Sequence, residues 1–139
     1  MVYAQKTTET PEDVSAIIGG LPSERRRAES AVLIDMMSRL SGAQPKMWGP
    51  SIVGFGKYDY TYSSGHSGTS MRVGFSPRKA AMTIYIVPGY DNKAALLERL
   101  GPHTLGTSCL YIKDVSKVDA KTLEEIIALS LKEMDERYP

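Results

Sequence analysis

Four short segments of the chain alternate apolar and polar side chains with a period of two, and this pattern constrains the fold more than any other feature. Successive side chains of a strand point to opposite faces, so each segment has one apolar side. The apolar members are Val53 and Phe55; Met71, Val73 and Phe75; Met82, Ile84 and Ile86; and Leu110 and Ile112. We expect this apolar set to face a layer of helices.

Four other segments repeat their apolar residues at helical spacing. We expect these helices to begin at Thr10, Ser23, Asp91 and near Asp119, and the first three of these residues can cap a helix N-terminus. The second helix is expected to bury Ala28, Val32, Leu33, Met36, Met37 and Leu40. The order αα-βββ-α-β-α predicts an α+β fold, with a mostly antiparallel sheet of about four to five strands packed on one face by helices.

The length of 139 residues suits one domain with its own core. We expect residues 10–139 to form this domain and residues 1–9 to be a flexible N-terminus. The first residues lack the basic and apolar regions of a signal peptide, and no apolar run approaches the roughly 18 residues that span a bilayer. The sequence therefore predicts a cytoplasmic protein without a membrane partner.

Charge and ligand content argue against several classes of protein. The formal net charge is +1, and the only dense basic run is Arg25 to Arg27, which disfavours nucleic-acid binding. Cys109 is the only cysteine, so no intrachain disulfide can form. Zinc ligands are limited to His66, His103 and Cys109, which are too few and too dispersed, so we expect no structural metal.

Tyrosines and cations dominate the side of the predicted strands that points away from the helices. Its expected members are Tyr58, Tyr60, Tyr62, Arg72, Tyr85, Cys109, Tyr111 and Lys113. Tyrosine combines apolar area with a hydroxyl group that needs a partner, so such a face suits a flat or anionic ligand. Trp48, before the first strand, either caps the core or walls a pocket with Tyr58 or Tyr85.

Three alternatives for this face stay open at the sequence level. Tyrosine is also a good strand former on a half-buried face, so the pattern does not require a ligand. A bulge at Gly54 or Gly56 would move Tyr58 and Tyr60 to the other side of the sheet. An exposed aromatic face can also pair with a second copy of the chain, which would make it a homodimer interface.

Four motifs follow one another along the chain: Lys46 to Gly56, Gly74 to Lys79, Leu100-Gly101, and Ser108 to Lys113. In this order and spacing they resemble the YdhG-like domain family, a group of small bacterial intracellular proteins of unknown function, over about residues 12–138. The resemblance implies a two-layer α+β sandwich similar in shape to frataxin. Some members are described as iron chaperones, so it also implies iron as a cargo, but it carries over no catalytic residues.

Three functions are therefore considered. The sequence favours a non-enzymatic module that binds a small ligand or a partner protein at Trp48, Tyr58, Tyr60, Arg72, Tyr85, Cys109, Tyr111 and Lys113. Iron binding would instead use the exposed carboxylates of the first and last helices, because hard cations prefer oxygen ligands. A thiol-dependent enzyme would use Cys109 as the nucleophile and His103 as its base.

Overall fold

A computed structural model describes residues 8–61, 64–65 and 67–139 of the chain. Its helices are α1 (Val14–Gly19), α2 (Glu24–Ser41), α3 (Ala94–Leu100) and α4 (Ala120–Arg137), with a short 3-10 turn at Val115–Lys117. Its strands are β1 (Glu9–Thr10), β2 (Pro45–Trp48), β3 (Ile52–Phe55), β4 (Tyr58–Thr61), β5 (Ser67–Ser70), β6 (Val73–Pro77), β7 (Met82–Tyr85), β8 (Thr104–Leu105) and β9 (Cys109–Ile112). The predicted α+β class is confirmed. None of the described helices is long and apolar enough to span a membrane.

Within the described residues, the main sheet has seven strands in the order β1-β2-β3-β6-β7-β9-β8, which is more than the four to five expected. All neighbouring strands in it run antiparallel. The two short edge strands account for part of the difference, and Glu9 of β1 belongs to a segment expected to be flexible. Strands β4 and β5 form a separate two-stranded ribbon that continues the β3–β6 hairpin.

The apolar set lies against the helices as predicted, with one exception. All its members are 6% exposed or less, and all except Met71 belong to the main core cluster with side chains of α2 and α4. Met71 lies on the opposite side of the sheet, because it contacts Gly54, a residue that alternates with the core residues Val53 and Phe55. The prediction for Met71 is therefore wrong, because this residue precedes β6 and lies outside the regular alternation of that strand.

Helix α2 is rotated relative to its predicted orientation. Ala28 is exposed and Val32 is 50% exposed, whereas Arg26 and Glu29 are buried on the same side as Leu33. Arg26 Nη1 and Glu29 Oε1 form an ion pair of 2.6 Å. The buried face was predicted wrongly because part of it is a charged pair. Apolar spacing alone does not reveal such a pair.

One of the three predicted caps is confirmed: Ser23 Oγ accepts a hydrogen bond from the Arg26 backbone. The last helix begins near Asp119 as predicted, and Asp119 Oδ2 caps it by accepting a hydrogen bond from the Thr122 backbone. Thr10 instead lies in β1, and Asp13 caps α1. Asp91 does not cap α3, which begins after Lys93.

The start of α3 is held by a buried ion pair instead of a capping side chain. Lys93 is completely buried, pairs with Glu133 of α4, and donates a hydrogen bond of 2.9 Å to the Gly89 carbonyl. Glu133 also lies 3.8 Å from Arg137, the i,i+4 partner visible in the sequence. Lys93 therefore fastens the segment after β7 to α4, and α3 packs against α4.

Candidate functional site

The far face of the main sheet, meaning the face away from the helices, divides into two halves. In the closed half, formed by β2, β3 and β6, Trp48 is only 2% exposed and Met71 only 6%. Both lie over Gly54, and Met71 also lies over Gly74, which pairs with Gly54 across β3 and β6. A Cβ atom at Gly54 would lie 2.5 Å from Trp48 Cδ1, so the indole can lie against the sheet only because this position has no side chain.

Trp48 therefore seals the closed half. A cleft of about 260 Å³ borders it together with Glu9, Lys46 and Lys57. That volume is below the roughly 300 to 1,000 Å³ of typical ligand pockets. The cleft is not lined by Tyr58 or Tyr85, the residues expected to join Trp48 in a pocket wall.

Tyr58, Tyr60 and Arg72 do not lie on the far face, which corrects the prediction for these three residues. Gly56 has a φ of 71°, and this break turns the β4–β5 ribbon toward the end of α4. The Tyr58 ring packs 4.5 Å from the Tyr138 ring, centroid to centroid, and 6.1 Å from the Tyr60 ring.

Arg72 fastens the ribbon to α4. Its Nη1 atom lies 2.9 Å from Asp135 Oδ1, its Nε atom donates to the Lys57 carbonyl at 3.0 Å, and its Nη2 atom donates to the Tyr138 carbonyl. The guanidinium is thus engaged in holding the ribbon. Of the other residues considered in the sequence, Tyr62 and His66 lie outside the described residues.

In the open half, formed by β7, β9 and β8, Tyr85, Cys109 and Tyr111 lie on the far face. Tyr85 pairs with Cys109 in the register, and both alternate with the core residues Ile84 and Leu110. All three side chains are half-buried. The open half therefore contains three of the predicted site residues. Lys113, which is exposed, lies two residues after Tyr111 and so continues the same side of the strand.

Neighbouring groups hold the phenols of the open half in place. Arg78 Nη2 donates to the Tyr85 hydroxyl at 3.0 Å, and the Tyr90 hydroxyl donates to the Cys109 carbonyl. The Tyr111 ring lies over Gly106, where a Cβ atom would come within 3.0 Å of the phenolic oxygen. Sequence patterns did not identify Arg78 or Tyr90, because both lie outside the alternating segments.

The pKa values of these phenols are raised. Burial raises the pKa of Tyr85, and it raises the pKa of Tyr90 to about 12. The Cys109 thiol beside Tyr111 raises the pKa of that phenol. Since an ordinary tyrosine already ionises near pH 10, these hydroxyls stay protonated at neutral pH and offer hydrogen bonds without acting as bases.

At the outer edge of the open half lies a cleft of about 450 Å³, called here the Tyr111 cleft. Its apolar wall consists of Ala81, Pro102 and the Tyr111 ring. The polar residues that line it are His103, Thr104, Lys113, Asp114 and Lys117. The volume falls within the range of known small-molecule sites. Tyr111 and Lys113 were predicted site residues, whereas Lys117 follows the end of β9 and carries no periodic signal.

The buried pair Arg26–Glu29 supports one rim of the Tyr111 cleft. Arg26 donates to the Lys113 carbonyl and to the Arg78 carbonyl, each at 3.0 Å. Glu29 Oε2 accepts a hydrogen bond of 2.8 Å from the Val115 backbone. The backbone from 113 to 115 is therefore tied to α2. The signal for this pair in the sequence is the opposite charge at i and i+3, on the side of α2 that also carries Leu33.

His103 and Cys109 are not brought together. The pairing of Thr104 with Tyr111 places His103 opposite Ile112, three residues from Cys109. That separation is about 10 Å at 3.3 Å per residue. The His103 Nδ1 atom is instead 2.7 Å from the Gly101 carbonyl oxygen. Across residues 8–61, 64–65 and 67–139, no group of three or more His, Cys, Asp or Glu side chains is placed to hold a metal ion.

Comparison with known proteins finds no family model that matches the chain, and no curated protein or solved structure that matches it. The resemblance to the YdhG-like family therefore stays a prediction, and so does the iron binding that it implies.

Proposed function

We propose that this protein is a binding module that takes a small molecule into the Tyr111 cleft. One observation carries the proposal: a concave space of about 450 Å³ has an apolar wall, including the Tyr111 ring, next to the side chains of Lys113 and Lys117. Small-molecule sites have this composition, in which apolar surface supplies affinity and a few polar groups fix orientation.

The rigidity of the cleft supports the same conclusion. The Arg26–Glu29 pair holds the Lys113 rim, and Tyr111 lies against Gly106. A site whose side chains and backbone are already ordered spends less free energy on ordering when its ligand arrives. The concave shape favours a small molecule over the flat surface of a partner protein.

The chemistry of the open half supports binding over catalysis. Its phenols have raised pKa values and remain protonated at neutral pH. Cys109 lies about three residues along the strand from the register position of His103, so the His103 imidazole does not lie beside the thiol as its base. The described part of the cleft thus provides contacts for a ligand but no nucleophile with its base.

The proposal is tested by filling the cleft. Thr104 is exposed and lines the cleft, so Thr104→Trp should occupy the space without disturbing the core. Thr107→Trp places the same side chain on an exposed residue of the same hairpin outside the cleft and is the matched control. A metabolite library is screened by thermal shift against wild type and both variants.

We expect at least one compound to stabilise wild type and Thr107→Trp but not Thr104→Trp. At a concentration 100-fold above Kd the stabilisation is about 2.7 kcal/mol, which raises Tm by on the order of 10 °C in a domain of this size. A library without any stabilising compound, or compounds that stabilise Thr104→Trp as much as wild type, would refute a ligand site in this cleft.

A further inference from the structure

We infer that the Tyr111 cleft selects an anionic small molecule with a flat apolar body, whose carboxylate, sulfonate or phosphate group lies between Lys113 and Lys117. This inference rests on the proposed function, because it concerns the ligand class of the same cleft. It is carried by the distribution of charge around the cleft and by the ordered backbone from which the two lysines extend.

Positive charge at the cleft is in excess. Lys113 and Lys117 are exposed and line the cleft, and neither forms an ion pair within the described residues. Asp114 is the acidic residue that lines it, and its carboxylate accepts hydrogen bonds from the backbone and the hydroxyl of Ser116. Those hydrogen bonds, and the nearby charges of Arg25 and Lys117, lower the pKa of Asp114. Two lysines against one carboxylate leave the cleft positive.

Several other cations of the described residues have carboxylate partners. Lys57 lies 3.0 Å from Glu9, and Lys93 pairs with Glu133. Pairs of the same kind are Arg39 with Glu124, Arg72 with Asp135, and Arg99 with Glu125. Lys79, Lys121 and Lys132 have no carboxylate partner among the described residues either, so Lys113 and Lys117 are distinguished by lining the same cleft.

The backbone around the two lysines is preorganised to receive an anion. The Lys113 carbonyl accepts a hydrogen bond from buried Arg26, and the Val115 backbone donates one to Glu29. Asp114 caps the short turn Val115–Lys117 through the Ser116 backbone. Both ammonium groups therefore extend from a fixed segment, while the Tyr111 ring and Ala81 offer the surface for the apolar part of the ligand.

The experiment compares two fluorescent probes that differ only in charge. Anilinonaphthalene sulfonate is anionic, and its uncharged parent, phenylnaphthylamine, has the same aromatic body. Their Kd values are measured with wild type, Thr104→Trp, Lys113→Gln, Lys117→Gln, and the double variant of both lysines. A Lys79→Gln and Lys121→Gln double variant removes two exposed lysines outside the cleft and is the charge-matched control.

We expect each cleft lysine substitution to weaken binding of the sulfonate by about 1.5- to fivefold, the range for exposed charge pairs, and the double variant by up to about tenfold. The parent compound should bind all variants equally, and the control should match wild type. Raising the salt concentration should weaken sulfonate binding to wild type more than to the double cleft variant, because exposed charges are screened.

Different failures have different meanings. If both probes lose binding in Thr104→Trp but the cleft lysines have no effect on either, the cleft binds small molecules without charge selection, and the inference is wrong while the proposed function stands. If neither probe responds to Thr104→Trp, the probes do not occupy the cleft, which contradicts both. An equal effect of the control and cleft variants would show that the sulfonate senses overall charge, and would also overturn the inference.

Discussion

The two halves of the far face belong to one sheet, but they bury large side chains to different extents. In the closed half, glycines at positions 54 and 74 let Trp48 and Met71 lie against the strands, and both become almost completely buried. In the open half, side chains occupy the corresponding positions, the tyrosines stay half-buried, and the Tyr111 cleft remains at the edge. The difference shows that glycines in the strands determine where large side chains can lie against the sheet and cover its face.

The largest expected effect tests the closed half. A Cβ atom at Gly74 would lie 2.7 Å from the Val53 carbonyl oxygen and 2.6 Å from Met71 Sδ. The sulfur can move, but the backbone carbonyl of a paired strand cannot. We expect Gly74→Ala to lower the free energy of unfolding by about 3 kcal/mol, measured by urea denaturation.

Gly19→Ala is the matched control for that change. Gly19 is exposed at the end of α1, and a Cβ atom there would meet nothing within 4 Å. It should leave stability unchanged or raise it by about 0.5–1 kcal/mol, because alanine is the better helix residue. Equal stabilities of Gly74→Ala and wild type would contradict the close packing that defines the closed half.

A smaller effect at high pH concerns Tyr90, which packs against the core and donates to the Cys109 carbonyl of the open half. The pKa of Tyr90 is raised by burial to about 12 in the folded protein, against about 10 in the unfolded chain. The folded state therefore holds this proton more tightly. The stabilisation is fully present below about pH 10 and is lost as the pH rises toward 12.

Tyr90→Phe removes this proton, so its free energy of unfolding should fall less steeply between about pH 10 and 12 than that of wild type. Tyr85 and Tyr111, whose pKa values are also raised, should preserve part of the slope. Tyr138→Phe leaves all three phenols in place and serves as the control. Parallel pH profiles for wild type and Tyr90→Phe would argue against burial of this hydroxyl.

The last prediction also concerns the open half, and it is that a substitution of His103 leaves the reactivity of Cys109 unchanged. Because His103 lies opposite Ile112 and contacts the Gly101 carbonyl, it should not influence the Cys109 thiol. We expect His103→Ala to leave the rate of Cys109 alkylation by iodoacetamide unchanged at every pH from 6 to 9. A clear fall in rate near neutral pH would revive the thiol-dependent enzyme.

The sequence alone determined the fold class, the faces of the regular strands and part of the helix boundaries. Core residues such as Phe75 and Ile84 could be assigned because the side-chain period of an uninterrupted strand is two. Ser23 could be assigned as a cap because its side-chain oxygen satisfies a nearby backbone N–H group. All of these features depend on residues close together in the chain.

Tertiary structure decided the rest. Regular strand alternation ends at Gly56, where a positive φ turns Tyr58 and Tyr60 toward α4. In α2, the spacing of apolar residues did not reveal that the buried side includes Arg26. The Tyr111 cleft joins Ala81 to residues some thirty positions later in the chain, through the pairing of β7 with β9. Local patterns specify which way a side chain points within one strand or helix, but only strand pairing and helix packing determine which distant side chains meet.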